Sequence, residues 1–264
     1  MLVYPEINPI AIDLGILQVR WYGISFVAGI LLAWWLLLRR VNSSRQTWTS
    51  EQVADLIFYA TVGIILGGRL GSVLFYNLPY YLQQPVAVLK IWQGGMSFHG
   101  GLLGVMVAVW LFGRKTNKSF FSISDFIVPV VPVGLGSGRI GNFINGELWG
   151  SPSDLPWAMV FPDPRAGAIS RHPSQLYEAF LEGLVLFIVL WWFSSRPRPA
   201  MAVTGLFLLG YGGFRCAIEF VRVPDAHIGY LADGWLTTGQ LLSLPMIIIG
   251  FVMLFIAYRN SSTV

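Results

Sequence analysis

The sequence predicts an all-α polytopic membrane protein of seven transmembrane helices with a small extracytoplasmic cap, and three observations predict it. Of 264 residues, 55% are apolar and only 11% charged, against about 25% charged in a soluble domain. The mean hydropathy is +0.64. The chain also carries 11 Trp, 10 Tyr and 18 Phe, the residues of the aromatic belts at membrane interfaces. A soluble enzyme, a disordered chain and a collagenous rod are excluded by this composition.

Windows of roughly 20 apolar residues can cross a bilayer as helices, and seven are read here. They are 19–38, 53–74, 96–113, 122–143, 175–193, 201–221 and 237–258, within one integral membrane domain over 1–264. The first window has Tyr22 in its first turn, and the second carries Arg69. The third opens with Met96, Ser97, Phe98 and His99. The fourth ends with Arg139 and Asn142, with Asn145 and Glu147 just beyond. The fifth starts with Gln175, Tyr177, Glu178 and Glu182, and the sixth carries Tyr211, Arg215 and Glu219. The stretch 144–174 holds Pro152, Pro156, Pro162, Pro164 and Pro173, which mark a loop or small cap rather than a span. No cleavable signal peptide is expected, because the first residues carry Glu6 and Asp13 without a basic start.

Charge sets the orientation. Nine basic residues (Arg39, Arg40, Arg45, Arg114, Lys115, Lys118, Arg196, Arg198 and Arg259) fall in loops on one side, and five on the other. The positive-inside rule makes the nine cytoplasmic. The N-terminus then lies outside, the C-terminus inside, and the polar residues of six windows collect in the half facing outward. The net charge of +4 is scattered among apolar runs, so no nucleic-acid partner is expected.

Ionisable groups within hydrocarbon are costly and mark functional sites. The guanidinium stays charged and its planar fork matches phosphate oxygens. Arg69, Arg139 and Arg215 face few buried carboxylates on this reading, and a ligand phosphate would supply the missing charge. The plain alternative for each is an ion pair between helices. Tyr211, Arg215 and Glu219 share one helical face, so Arg215 and Glu219 are candidates for such a pair. His99 sits among Gly94, Gly95, Gly100 and Gly101, which suit either close approach of a headgroup or tight helix packing. An imidazole titrates near neutrality and is a feasible base; equally, His99 is read as a satisfied structural residue.

Other patterns carry less. Gly136-Ser137-Gly138-Arg139-Ile140-Gly141 fits GxGxxG but lies in an apolar span, not a strand–turn–helix. His99, His172 and His227 lack ligand spacing, so no metal and no other cofactor is expected. Cys216 is the sole cysteine, which excludes a disulfide framework.

The segment Gly138-Arg139-Ile140-Gly141-Asn142-Phe143-Ile144-Asn145-Gly146-Glu147-Leu148-Trp149-Gly150 resembles the signature of bacterial prolipoprotein diacylglyceryl transferases. So do Arg20-Trp21-Tyr22-Gly23, Ser97-Phe98-His99-Gly100-Gly101, His172-Pro173-Ser174-Gln175-Leu176-Tyr177-Glu178 and Tyr211-Gly212-Gly213-Phe214-Arg215 followed by Glu219. Trp149 departs from the Tyr of many members but keeps an aromatic. The resemblance implies transfer of the diacylglyceryl group of phosphatidylglycerol to the lipobox cysteine of prolipoprotein signal peptides. A thioether forms and glycerol phosphate leaves, at the outer leaflet of the bacterial inner membrane. On that reading His99 is the base, and Arg139 and Arg215 stabilise the leaving phosphate. Tyr22, Asn142, Asn145, Tyr211 and Arg69 contact the lipid. Glu147 and Glu219 position arginines or bind glycerol hydroxyls, and Cys216 is dispensable because the substrate supplies the thiol. The alternative is an anion or lipid transporter with an arginine-lined cavity.

Overall fold

In the computed structural model, residues 2–5, 7–15, 18–43, 48–223, 230–232 and 236–261 are described; Glu6, Arg45 and His227 lie outside them. The protein is mostly helical, and each of the seven sequence windows contains helix. The helices are α1 (Trp21–Ser43), α2 (Ser50–Gly71), α3 (Leu78–Gln83), α4 (Phe98–Thr116) and α5 (Phe120–Ile127), then α6 (Val131–Ile144), α7 (Ser174–Glu178), α8 (Leu186–Phe193), α9 (Ala202–Glu219) and α10 (Thr238–Ser261). Several of these join into longer runs. A π-helical turn, Ser72–Tyr76, extends α2. A 3-10 turn, Val128–Val130, links α5 to α6, and a π-helical stretch, Ala179–Val185, links α7 to α8.

Among the described residues, five runs are long and apolar enough to cross a membrane: Trp21–Val41, Ser50–Tyr76, Phe120–Ile144, Ser174–Phe193 and Thr238–Arg259. α4 and α9 also form in their predicted windows but are more polar. α4 ends in Arg114 and Lys115, and α9 carries Arg215 and Glu219.

The connections between the helices also form short strands. β1 (Leu2–Val3) pairs in parallel with β4 (Met159–Val160), which pairs antiparallel with β5 (Ser170–Arg171). β2 (Ile10–Asp13) pairs with β3 (Gln18–Arg20), and β6 (Tyr230–Ala232) with β7 (Leu236–Thr237). Irregular backbone outside helices must satisfy its amides somewhere, and these ladders do so.

The chain divides into two compact units, Met1–Leu36 with Asp125–Val264, and Leu37–Ser124. In the first, Val128, Leu186, Leu190, Val203 and Tyr211 form a buried cluster. Asp125 accepts the amides of Met201 and Thr204 at 2.8 Å each, closing the start of α9. The rings of Tyr4, Phe143 and Phe161 pack at tilted and edge-on angles at the C-terminal end of α6, where the Tyr4 hydroxyl donates to the carbonyls of Phe143 and Ile144. In the second unit, α2 and α4 cross backbone to backbone. A Cβ on Gly63, Gly67 or Gly71 would strike Gly100 or Gly104. Of the two readings of the glycines beside His99, helix packing holds for Gly100, as expected where small residues let membrane helices approach.

Candidate functional site

The first unit gathers six charged side chains from three helices and the residues beyond them. Glu178, fully buried at the end of α7, stands at the centre. Its Oε2 lies 3.4 Å from Arg139 Nε, and its Oε1 lies 3.1 Å from Arg215 Nη1 and 3.3 Å from Arg222 Nη1. Glu182, also fully buried, sits 3.8 Å from Arg139 Nη2. Glu219 pairs with Arg215 at 2.8 Å, one turn apart on α9. The i, i+4 pair raised as an alternative for Arg215 is therefore present. Three arginines face three carboxylates, so the expectation that carboxylates are too few is corrected. Glu178 and Glu182 supply the charge that the sequence reading left to a ligand.

Pairing does not exhaust the arginines. Arg139 retains 19% side-chain exposure. Its carboxylate distances of 3.4 and 3.8 Å exceed the usual N–H···O range of about 2.7–3.2 Å. Among the described residues it makes no hydrogen bond. Its donors are held near negative charge without being saturated, and a phosphate oxygen can take them.

Local structure explains the positions. Arg139 lies on α6, whose next helical turn carries Gly141 against α1; a Cβ there would strike Ser25 Oγ and the Tyr22 ring. Glycine at 141 thus brings Tyr22 beside the arginine turn. Gly136 meets Gly183 backbone to backbone in the same way, drawing α6 against the π-helical stretch between Glu178 and α8. π-Bulges recur at functional sites, and this one carries Glu182.

Beyond α6 the chain turns through Gly146 at φ +66°, a left-handed conformation suited to glycine. The turn brings the Glu147 carboxylate back to α6, where Oε1 accepts from Asn142 at 2.9 Å and Asn145 at 3.1 Å. The predicted residues Asn142, Asn145 and Glu147 therefore form one cluster. Gln175 donates to the Glu147 carbonyl at 2.6 Å and Ser174 to the Leu148 carbonyl at 3.0 Å, tying this loop to α7 and hence to Glu178. Tyr211 is buried on α9 one turn before Arg215 and stacks on Phe207. Cys216 is a free thiol.

A second polar chain lies in the loop. The Trp157 indole donates to the Tyr177 hydroxyl at 2.7 Å, which lies 3.2 Å from His172 Nδ1. An indole N–H only donates, so the Tyr177 proton goes to Nδ1. Burial pushes the His172 imidazole below its ordinary value, which keeps that nitrogen an acceptor.

In the second unit, His99 occupies the first turn of α4 after Ser97, whose hydroxyl accepts the Gly100 amide at 3.1 Å. Its ring is exposed and makes no hydrogen bond among the described residues, so it is not the satisfied structural histidine of the alternative reading. Arg69 is the opposite case. Nε donates to Val88 at 2.8 Å, Nη1 to Gly94 and Gly95 at 2.5 and 3.1 Å, and Nη2 to Ala87 and Lys90 at 2.5 and 3.2 Å. Five donors meet five backbone carbonyls, and the guanidinium also lies over the Tyr81 ring. Arg69 is no helix-to-helix ion pair; its donors fasten the segment 87–95. Among the described residues no group of three His, Cys, Asp or Glu is arranged to hold a metal ion.

The sequence reading named Glu178 and Glu182 only as residues at the start of a span, and placed Arg222 in a loop. Their spacing was the available signal: Gln175, Glu178 and Glu182 recur at helical intervals, so costly groups stack on one face.

Residues 9–256 match the family model described as prolipoprotein diacylglyceryl transferase. A relative from Methylococcus capsulatus, named phosphatidylglycerol–prolipoprotein diacylglyceryl transferase, is 59% identical over 99% of this chain and all of its own. Proteins of the same name from Azotobacter vinelandii and Pseudomonas aeruginosa are 59% and 56% identical, each over 99% of this chain and 98% of their own. None of the three is named as a transporter.

Proposed function

Because the chain belongs to the prolipoprotein diacylglyceryl transferase family, we propose that it transfers the diacylglyceryl group of phosphatidylglycerol to the lipobox cysteine thiol of prolipoproteins. The observation that carries the site assignment is Arg139, half-buried among carboxylates yet with unsatisfied donors. A phosphodiester offers the oxygens those donors lack, and Arg215 adds a second cation from the same carboxylate hub.

The substrate thiol loses its proton to His99, the exposed imidazole at the start of α4. The thiolate attacks the glyceryl carbon that bears the phosphate. The C–O bond breaks, the C–S bond forms, and glycerol phosphate departs with the electron pair. Fixed guanidinium donors stabilise the charge that develops on the leaving oxygen. The proton on His99 returns to the released phosphate or to solvent. Tyr22, Tyr211, Asn142 and Asn145 orient the lipid headgroup. Glu219 positions Arg215, and Glu147, already held by two asparagines, shapes the headgroup side. No cofactor takes part.

The seven windows are read as seven spans, with α4 and α9 crossing alongside the five more apolar runs, and with residues 144–174 as an extracytoplasmic cap. The excess of basic residues supports a C-terminus in the cytoplasm and an N-terminus in the periplasm of a bacterial inner membrane, with the site toward the outer leaflet.

The test is incubation of membranes containing the protein with phosphatidylglycerol labelled in its acyl chains and a lipobox peptide. Label on the peptide cysteine as a thioether is expected. Label that never reaches the peptide, or that reaches one whose cysteine is replaced by serine, overturns the reading. Reporter fusions after Arg198 and Arg259 should report cytoplasm, and fusions within 144–174 the outside; a consistent inversion puts the site at the wrong leaflet.

A further inference from the structure

Glu182 is a buried charge that the transfer step leaves without a part. It lies in the π-helical stretch Ala179–Val185 and is fully buried. Among the described residues, neither of its carboxylate oxygens meets a hydrogen-bond donor. A carboxylate buried without donors is costly, and an acid within an apolar run marks function. Its one ion-pair partner among the described residues is Arg139, whose Nη2 stands 3.8 Å away. The backbones behind the pair are already in contact. A Cβ on Gly183 would lie 2.8 Å from the Gly136 Cα, and one on Gly136 would lie 3.0 Å from the Gly183 Cα. The main chain therefore sets how near the two side chains come.

A guanidinium is a planar fork of donors. Nε and Nη2 make up one edge, and Nη1 with the second Nη2 hydrogen makes up the other. Glu178 Oε2 lies 3.4 Å from Nε of Arg139, and Glu182 Oε2 lies 3.8 Å from Nη2. One carboxylate thus flanks each nitrogen of the first edge, while the second edge has no acceptor among the described residues. A single carboxylate would attract the group without fixing which way its plane turns. Two of them, placed along one edge, do both.

We propose that Glu182 is a positioning residue for the transfer reaction: with Glu178 it holds the Nε–Nη2 edge of Arg139 and so turns the Nη1 edge toward the substrate phosphate. This role rests on the transfer reading above. Glu182 touches no substrate and acts through Arg139. Because its oxygens take up no donor, it aims the fork without consuming the hydrogen bonds that a phosphate needs. Fixed donors stabilise a developing charge only when they are already aimed at it, and a supporting charge behind the donor supplies that aim.

The test is a double-mutant cycle on the full-length protein in detergent, with labelled phosphatidylglycerol, a lipobox peptide and rates taken per folded molecule. Glu182→Gln keeps the shape and removes the charge. It should lower kcat/KM about 10²-fold, the cost of a misplacement near 1 Å. On an Arg139→Lys background no fork remains to be aimed, and Glu182→Gln should change the rate no more than about twofold. Should the glutamine variant not fold, the cycle is run with Glu182→Asp, which keeps the charge on a shorter stem; a smaller loss with the same non-additivity is expected. Equal losses in both backgrounds, with either variant, would make Glu182 a structural partner only and overturn the proposal. A wild-type protein that moves no label would overturn the transfer reading and this role with it. A wild-type rate kept by Glu182→Gln would overturn this role alone.

Discussion

Arg139 and Arg69 are each carried by an apolar helix, and each is largely withdrawn from solvent, yet their surroundings differ in kind. Arg139 is surrounded by carboxylates at distances too long for good hydrogen bonds. Arg69 is gripped by five carbonyls. A carboxylate cancels charge but need not occupy donors, so Arg139 stays able to bind an anion. Backbone carbonyls occupy donors without cancelling charge, so Arg69 is spent on structure. Burial alone does not mark a functional arginine; what remains unsatisfied does.

The largest effect should come from the hub. Glu178→Gln removes the charge shared by three guanidinium groups, and breaking a buried pair costs about 3–5 kcal/mol. Transfer should vanish and thermal unfolding in detergent should fall by many degrees. A variant that melts normally and transfers normally would show that Glu178 does not organise the site.

His99→Gln should retain phosphatidylglycerol binding while transfer drops roughly 10²–10⁴-fold, the range for losing a general base. Raising the pH toward the free thiol value of about 8.5 should restore part of the rate, since solvent then generates the thiolate. Near-normal transfer at neutral pH would remove His99 from the mechanism.

Arg139→Lys keeps a cation but loses the planar fork, and should slow transfer about 10²–10³-fold, as when a fixed oxyanion donor is removed. No rescue at high pH is expected, because the defect is in holding phosphate. Arg69→Lys sharpens the contrast. A lysine has three donors for five carbonyls, so stability should fall by about 2 kcal/mol while the catalytic rate per folded molecule is largely kept. If Arg69→Lys instead cuts the rate and spares stability, the two arginines have been assigned the wrong way round. The smallest effect belongs to Cys216→Ser, which should leave transfer largely intact because the nucleophile belongs to the substrate; loss of activity in a folded variant would indicate a covalent enzyme intermediate.

Much of the helix was legible because apolar runs near 20 residues have few alternatives, and five such runs are long and apolar enough to cross a membrane. Arg139, Arg215 and Glu219 were legible because charge in such runs is costly. Glu178 was not singled out, since it sits at a helix entry where a carboxylate is unremarkable until three arginines from elsewhere converge on it. The Arg69 clamp had no signature at all, because carbonyls belong to every residue. The pairing of β1 with β4 was equally hidden: two-residue strands joined across more than 150 positions leave no periodicity to read.

The clamp on Arg69 has a consequence for how this chain can drift. The guanidinium takes hold of main-chain oxygens at Ala87, Val88, Lys90, Gly94 and Gly95, so it is indifferent to most of the side chains it anchors. Apart from Gly94 and Gly95, whose φ values of +86° and +73° favour glycine, and Ala87 and Val88, which pack with Val73 and Tyr81, the segment can exchange one residue for another under mutation while its anchorage stays put. Variation among descendants of this sequence can accumulate there, beneath an arginine whose five donors hold the backbone in place.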